Sequence, residues 1–176
     1  PHLRRFPEEE QADLLAVYAE ECHLVDDQTE ALHAAGRARE IYLRLGNGLR
    51  AGEQSRFLGR VSWWLGDRDG AYASAREAIA TLETLEEGPE LAMAYSGLAQ
   101  LHMLAHEIGP AVEWASRAIE TARRVGANEA LAHALNNLGS ARCRAGDLEG
   151  RALLTESFEI ARKEGLDDDA SRAISN

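Results

Sequence analysis

The chain has 176 residues, a formal net charge of −11 and 45% apolar residues, enough for one compact domain with a continuous core. The acidic balance argues against a duplex-binding surface, whose affinity comes from neutralising phosphates, and against an anionic membrane. Cys22 and Cys143 are too few and too far apart for a disulfide framework, and no apolar run reaches membrane-spanning length. With no charged-then-apolar leader at its start, the chain reads as cytoplasmic.

Apolar periodicity and the glycines between periodic segments place the elements in chain order. Helices are expected over Glu8–Leu24 and Gln28–Leu45, then Leu49–Leu65 and Arg68–Leu85. Pro89–Ala105 and Ile108–Val125 follow, then Asn128–Ala145 and Leu148–Glu164, and a ninth helix starts near Asp167. Leu65-Gly66-Asp67 and Ala145-Gly146-Asp147 each combine a helix stop, a left-handed glycine and a new N-cap. Gly46, Gly126 and Gly165 close second helices, and Pro89 and Pro110 sit in first turns, where a missing N–H costs little.

These elements repeat. Leu58-Gly59, Leu98-Ala99 and Leu138-Gly139 each fall 40 residues after the last. Ala31, Ala35 and Ala38 keep the same step to Ala71, Ala75 and Ala78, and these to Ala111, Ala115 and Ala118. The last unit is one residue shorter, so Gly150 takes the place of Ala111, and Asn137 answers to Asn176 at 39 residues. A fixed period near this length signals helix pairs that cannot bury their apolar faces alone and therefore stack. The expected fold is all-α, a right-handed α-α superhelix (solenoid) of about four helix pairs of 39–40 residues plus a truncated ninth helix. It forms a single domain over 1–176, with units at 8–47, 48–87, 88–127 and 128–166 and a partial unit at 167–176. The small residues are expected to let helix axes approach, with Leu58, Leu65, Leu98 and Leu138 filling the layer between. The unfinished last unit and Pro1–Phe6, which has no obvious cap, lead us to expect a piece of a longer protein.

A helix pair with Leu-Gly, then Gly-Asp, then a small residue resembles the tetratricopeptide repeat. More narrowly, the run Leu91 to Ala105 followed by Ala111-Val112-Glu113-Trp114-Ala115, and the run Leu131 to Gly139, resemble the sensor region of large bacterial LuxR-type, MalT-like transcriptional regulators. That resemblance implies a nucleotide-binding module upstream, a helix-turn-helix downstream, and a middle that receives an inducer or a partner protein. The chain itself holds neither a glycine-rich phosphate loop with Lys-Ser/Thr nor a basic recognition helix. The same repeat type also follows other signalling modules, such as bacterial cyclase-type proteins, so a scaffold or self-association module is the alternative.

By analogy with tetratricopeptide superhelices, first helices line the concave side. The Leu-Gly register then points Arg56, Arg60, Ser96, Gln100, Asn136 and Ser140 inward, with His133 and Asn137 flanking them. An arginine fork suits carboxylates, and the amide and hydroxyl strip suits an extended peptide or an anionic small molecule. Trp63 and Trp64 point roughly 100° apart, so one can pack into the seam while the other, taken as Trp63, faces the groove. The expected function is non-catalytic: a ligand- or protein-binding module with no cofactor, no metal, no direct nucleic-acid or membrane contact, and scope for homo-oligomers.

Other residues that could carry chemistry read as structural. His102 and His106 have the spacing of two metal ligands, but no third ligand accompanies them and His106 falls at the turn-glycine position. His2, His23 and His33 have no partner motif. Cys143, between Arg142 and Arg144, shares its register with Trp63 and Met103, a packing position. Asp167, Asp168 and Asp169 are expected to cap and favour the dipole of the last helix.

Overall fold

The computed structural model describes residues 5–176; His2 lies outside them. All regular structure among the described residues is helical: α1 (Glu8–Leu24), α2 (Gln28–Arg44), α3 (Gly48–Trp64), α4 (Arg68–Leu82), α5 (Pro89–Leu104), α6 (Ile108–Val125), α7 (Asn128–Arg144), α8 (Gly150–Glu164) and α9 (Asp167–Ser175). The chain divides into two compact units, Pro1–Leu85 and Glu86–Asn176.

In the first unit each helix packs on the next from α1 to α4. The core runs through Ala12, Leu15, Ala19, Ala31, Ala35, Ala38, Tyr42, Phe57 and Val61, all buried. In the second unit α5 to α9 pack in succession, and the first helices also touch, α5 on α7 and α7 on α9. The alanine series recurs as expected: Ala71, Ala78, Ala111, Ala115 and Ala118 have no exposed surface.

The Leu-Gly motif marks where the helices of a pair approach most closely. A Cβ on Gly59 would lie 3.0 Å from the Ala71 carbonyl oxygen of α4. Between α7 and α8 both partners are glycine. A Cβ on Gly139 would lie 2.8 Å from the Gly150 oxygen, and one on Gly150 would lie 2.5 Å from the Gly139 oxygen. Leu58, Leu98 and Leu138 fill the layer beside this contact. Leu65 does not: it is the C-cap of α3 and 47% exposed, because the chain has already turned out of the seam.

The turns follow the sequence closely. Asp27, Asn47 and Asp67 cap α2, α3 and α4, accepting from the N–H of Glu30 (3.2 Å), Arg50 (3.2 Å) and Gly70 (2.9 Å); such caps contribute about 1 kcal/mol each. Gly66 and Gly146 have φ of +76° and +83°. The equivalent residues in the other two turns are Asp26 (φ +66°) and His106 (φ +60°), so His106 stands where a glycine would be unstrained.

Two boundaries differ from expectation by more than one residue, and one expected cap is not made. α4 ends at Leu82 rather than Leu85, because the Thr84 hydroxyl bonds the Thr81 carbonyl (2.7 Å) and the last turns tighten to i→i+3 bonds. α8 begins at Gly150 rather than Leu148: Asp147 accepts from the Glu149 N–H (3.0 Å), Gly150 bonds back to the Asp147 carbonyl (3.1 Å), and Leu148 is left exposed. The acidic run at α9 makes no side-chain cap bond; Asp169 pairs with Arg172 instead (3.1 Å).

Candidate functional site

The expected site residues fall into two groups, one in each unit. In the first unit, Arg56 and Arg60 lie one turn apart on α3. The Arg60 guanidinium sits 5.1 Å from the centroid of the Phe57 ring. Surrounding protein, then the neighbouring Arg56 charge, lowers its pKa from the ordinary arginine value, while Glu20 on α1 works in the opposite direction. Arginine remains protonated through such a shift. The result is an exposed arginine cation over an aromatic ring, one turn from a second arginine on the same helix.

The tryptophan pair divides as the helix geometry requires, with the roles exchanged. Trp63 is half-buried, whereas Trp64 is 70% exposed. Trp64 is thus the more exposed of the two rings.

In the second unit most of the expected groove residues are buried between helices. Ser96, Asn136 and Asn137 have no exposed surface and Ser140 has 3%. They bond to one another and to the next first helix. Asn137 Nδ2 donates to the Ser96 carbonyl (3.0 Å) and lies 3.2 Å from Ser96 Oγ. Ser96 Oγ meets His133 Nδ1 at 2.6 Å. Arg172 Nη2 donates to Asn137 Oδ1 (3.0 Å), and Asn176 Nδ2 donates to Asn136 Oδ1 (2.8 Å). Ser140 Oγ donates to the Asn136 carbonyl (2.7 Å). These polar groups tie α5, α7 and α9 together. Gln100 is half-buried, and His133 is half-buried at the edge of the network.

Arg172, Asp169 and Asn176 belong to this network and were missed by the sequence reading. Burial lowers the pKa of Arg172 and raises that of Asp169, and their mutual attraction opposes both shifts. The Asn137–Asn176 correspondence at 39 residues was the available signal: it laid the last helix beside α7.

The remaining candidates are structural. His102 is buried with Nδ1 2.6 Å from Glu107 Oε2, and His106 Nδ1 lies 3.3 Å from Arg144 Nη1. His23 Nδ1 lies 2.6 Å from Gln28 Oε1. Cys143 is half-buried beside Gly150. No cluster of three metal-ligating side chains occurs among the described residues, and no helix there is long and apolar enough to cross a membrane.

No protein-family model matches the chain, and no curated protein does. Solved structures share its fold. BtubC (BKLC) from P. vanneervenii matches over 93% of this chain and 68% of its own, with a TM-score of 0.75 at 18% identity. A Podospora anserina kinesin light chain with nearly identical TPR-like repeats matches over 95% and 87%, with a TM-score of 0.69 at 16% identity. A Rap protein complexed with competence and sporulation factor matches over 94% of this chain and 50% of its own, with a TM-score of 0.65 at 17% identity. The chain thus spans half the length of that Rap protein. At such identities the likeness establishes the fold, an all-helical repeat of the tetratricopeptide type.

Proposed function

We propose that the chain is a non-catalytic binding module that holds a protein or peptide partner on the first-helix surface of its first unit. The observation that carries this reading is the Arg56–Arg60 pair: two cations one turn apart, Arg56 half-buried and Arg60 exposed with its guanidinium over the Phe57 ring. The Rap protein of the same fold, complexed with competence and sporulation factor, supports a partner of this kind. Binding would favour one arrangement of the repeats over another, a population shift set by differential affinity.

The test is a displayed library of extended peptides panned against the chain. Captured peptides are expected to be rich in carboxylates and to lose binding when Arg56 and Arg60 are both changed to Glu, with helicity unchanged. Retained binding by that variant overturns the assignment.

We further propose that this module is the signal-sensing segment of a multidomain LuxR-type regulator. Support comes from the likeness of Leu91 to Ala105 and of Leu131 to Gly139 to such sensors. The surrounding reading frame tests it. A phosphate-loop module upstream and a helix-turn-helix downstream are expected. Flanks with only repeats, or with a cyclase or kinase module, contradict the regulator and leave an interaction scaffold.

A further inference from the structure

The outward face of α1 carries large apolar residues that the arginine pair does not explain. Leu14, Val17 and Tyr18 are 44%, 57% and 49% exposed, and their spacing of i, i+3 and i+4 puts them on one face of one helix. The opposite face, Ala12, Leu15, Ala16, Ala19 and Cys22, is buried in the core of the first unit. A helix that is apolar on both sides belongs between two neighbours. The stripe runs on to Leu24 and Val25, but their counterparts Trp64 and Leu65 are exposed as well, so the seam proper is Leu14, Val17 and Tyr18.

The repeat shows what this face is shaped to receive. Forty residues on, the same positions of α3 hold Gln54, Phe57 and Leu58, all buried. Phe57, Leu58 and Val61 share one core with the alanines of α2, the second helix that precedes α3 and packs against it. The second unit repeats the arrangement: Ala134, Leu138 and Ala141 of α7 are buried, and α6 packs against α7. α1 thus presents, uncovered, the face that α3 and α7 bury. The helices that precede those two bury mainly alanines, among them Ala31, Ala35 and Ala38 in α2 and Ala111, Ala115 and Ala118 in α6. Small side chains of this kind let helix axes close on bulkier ones.

α1 differs from α3 and α7 at one point of the seam. Where they hold Val61 and Ala141, both without exposed surface, α1 holds the exposed Glu21. Asp13 and Glu20 lie at the edge of α1 nearest α3, where Arg50 approaches Asp13 at 3.5 Å and Glu20 acts on Arg60. Glu21 stands instead in the stripe itself, between Leu14 and Val25 on the helix surface. A helix laid over this face takes the Glu21 carboxylate out of water, which is tolerated only where a cation or a hydrogen-bond donor meets it.

We propose that the outward face of α1 docks an alanine-lined helix of a partner protein that carries an arginine or lysine opposite Glu21. A second copy is disfavoured. α1 contains no arginine or lysine, so α1 on α1 would put both Glu21 carboxylates and both runs of Glu8, Glu9 and Glu10 on one interface, between chains of net charge −11.

The experiment pans the whole chain against a displayed library of helices of about 18 residues, with alanine at i, i+4 and i+7 of one face and the flanking positions varied. Selected helices are expected to carry arginine or lysine at one fixed flanking position and to weaken by about tenfold or more against Leu14→Ser/Tyr18→Ser. Against Glu21→Lys, helices with aspartate or glutamate at that position are expected to take their place. Leu14, Tyr18 and Glu21 are exposed, so circular dichroism of both variants is expected to match that of the parent chain. Arg56→Glu/Arg60→Glu is expected to leave these helices bound, which separates this face from the arginine pair. No enrichment of helices, equal binding by Leu14→Ser/Tyr18→Ser, or selection of the same flanking charge by Glu21→Lys overturns the proposal. So does a dimer in sedimentation that Leu14→Ser/Tyr18→Ser abolishes, which assigns the face to a second copy. Shielding of Tyr18 by residues ahead of Pro1, when the full reading frame is expressed, overturns it as well.

Discussion

Gly139 of α7 and Gly150 of α8 face each other so closely that a Cβ on either would press on the other's backbone oxygen, at 2.8 and 2.5 Å. This contact explains both the Leu-Gly of the repeat and the small residue at the head of the second helix. The first helix must be flat where the second begins. Gly139→Ala should therefore destabilise the chain, by about 1–3 kcal/mol as overpacking usually does. Thermal unfolding checks this. Ala71→Leu at the equivalent seam of the first unit is expected to cost a similar amount, since Ala71 is fully buried.

His106 occupies a left-handed turn position with φ +60°. Glycine adopts this conformation without strain. His106→Gly should raise stability, by roughly 0.5–1 kcal/mol after the larger unfolded-state entropy of glycine is set against the relieved strain. A higher denaturation midpoint with an unchanged m-value is the expected result.

The Tyr42 hydroxyl donates to Asp13 Oδ1 at 2.6 Å. Burial first, and then the Asp13 bond, push its pKa up to about 12. A phenol whose pKa is raised on folding stabilises the folded state fully below its unfolded value, near 10. That contribution is lost as pH rises from about 10 through about 12. Stability of the parent chain should fall across this window. Tyr42→Phe should flatten the fall and cost about 1 kcal/mol at neutral pH for the lost bond.

Asn137 bridges three helices, with Ser96 on one side and Arg172 on the other. Asn137→Ala leaves buried polar groups unpaired, which costs about 1–3 kcal/mol. Hydrogen exchange should show the loss concentrated in α9, whose attachment depends on this bond and on Asn176 to Asn136.

The fold was legible because a step of 39–40 residues recurs through the helix pairs, and many helix ends coincide with glycines that turn left-handed. The boundaries that slipped did so where local bonds tightened the turn, at Thr84 and Asp147. The site was less legible. Polar residues at register positions 96, 136 and 137 look inward on an isolated helix, but the following first helix covers positions 96 and 136, and α5 covers 137. A sign of this was present: the residues in the same register as Ser96 and Asn137 include Ala16 and Phe57, both buried. Arg56 breaks that apolar pattern within the first unit, where its counterpart is the buried Ala16, and Arg60 lies one turn beyond it; the two remain the candidates for binding.

The most direct test of partner binding by the first unit is hydrogen exchange of the chain with and without a peptide captured by panning. Slowed exchange along α1 and α3, absent in Arg56→Glu/Arg60→Glu, is the predicted result. Protection confined to α2 and α4, or unchanged by that variant, would contradict the account.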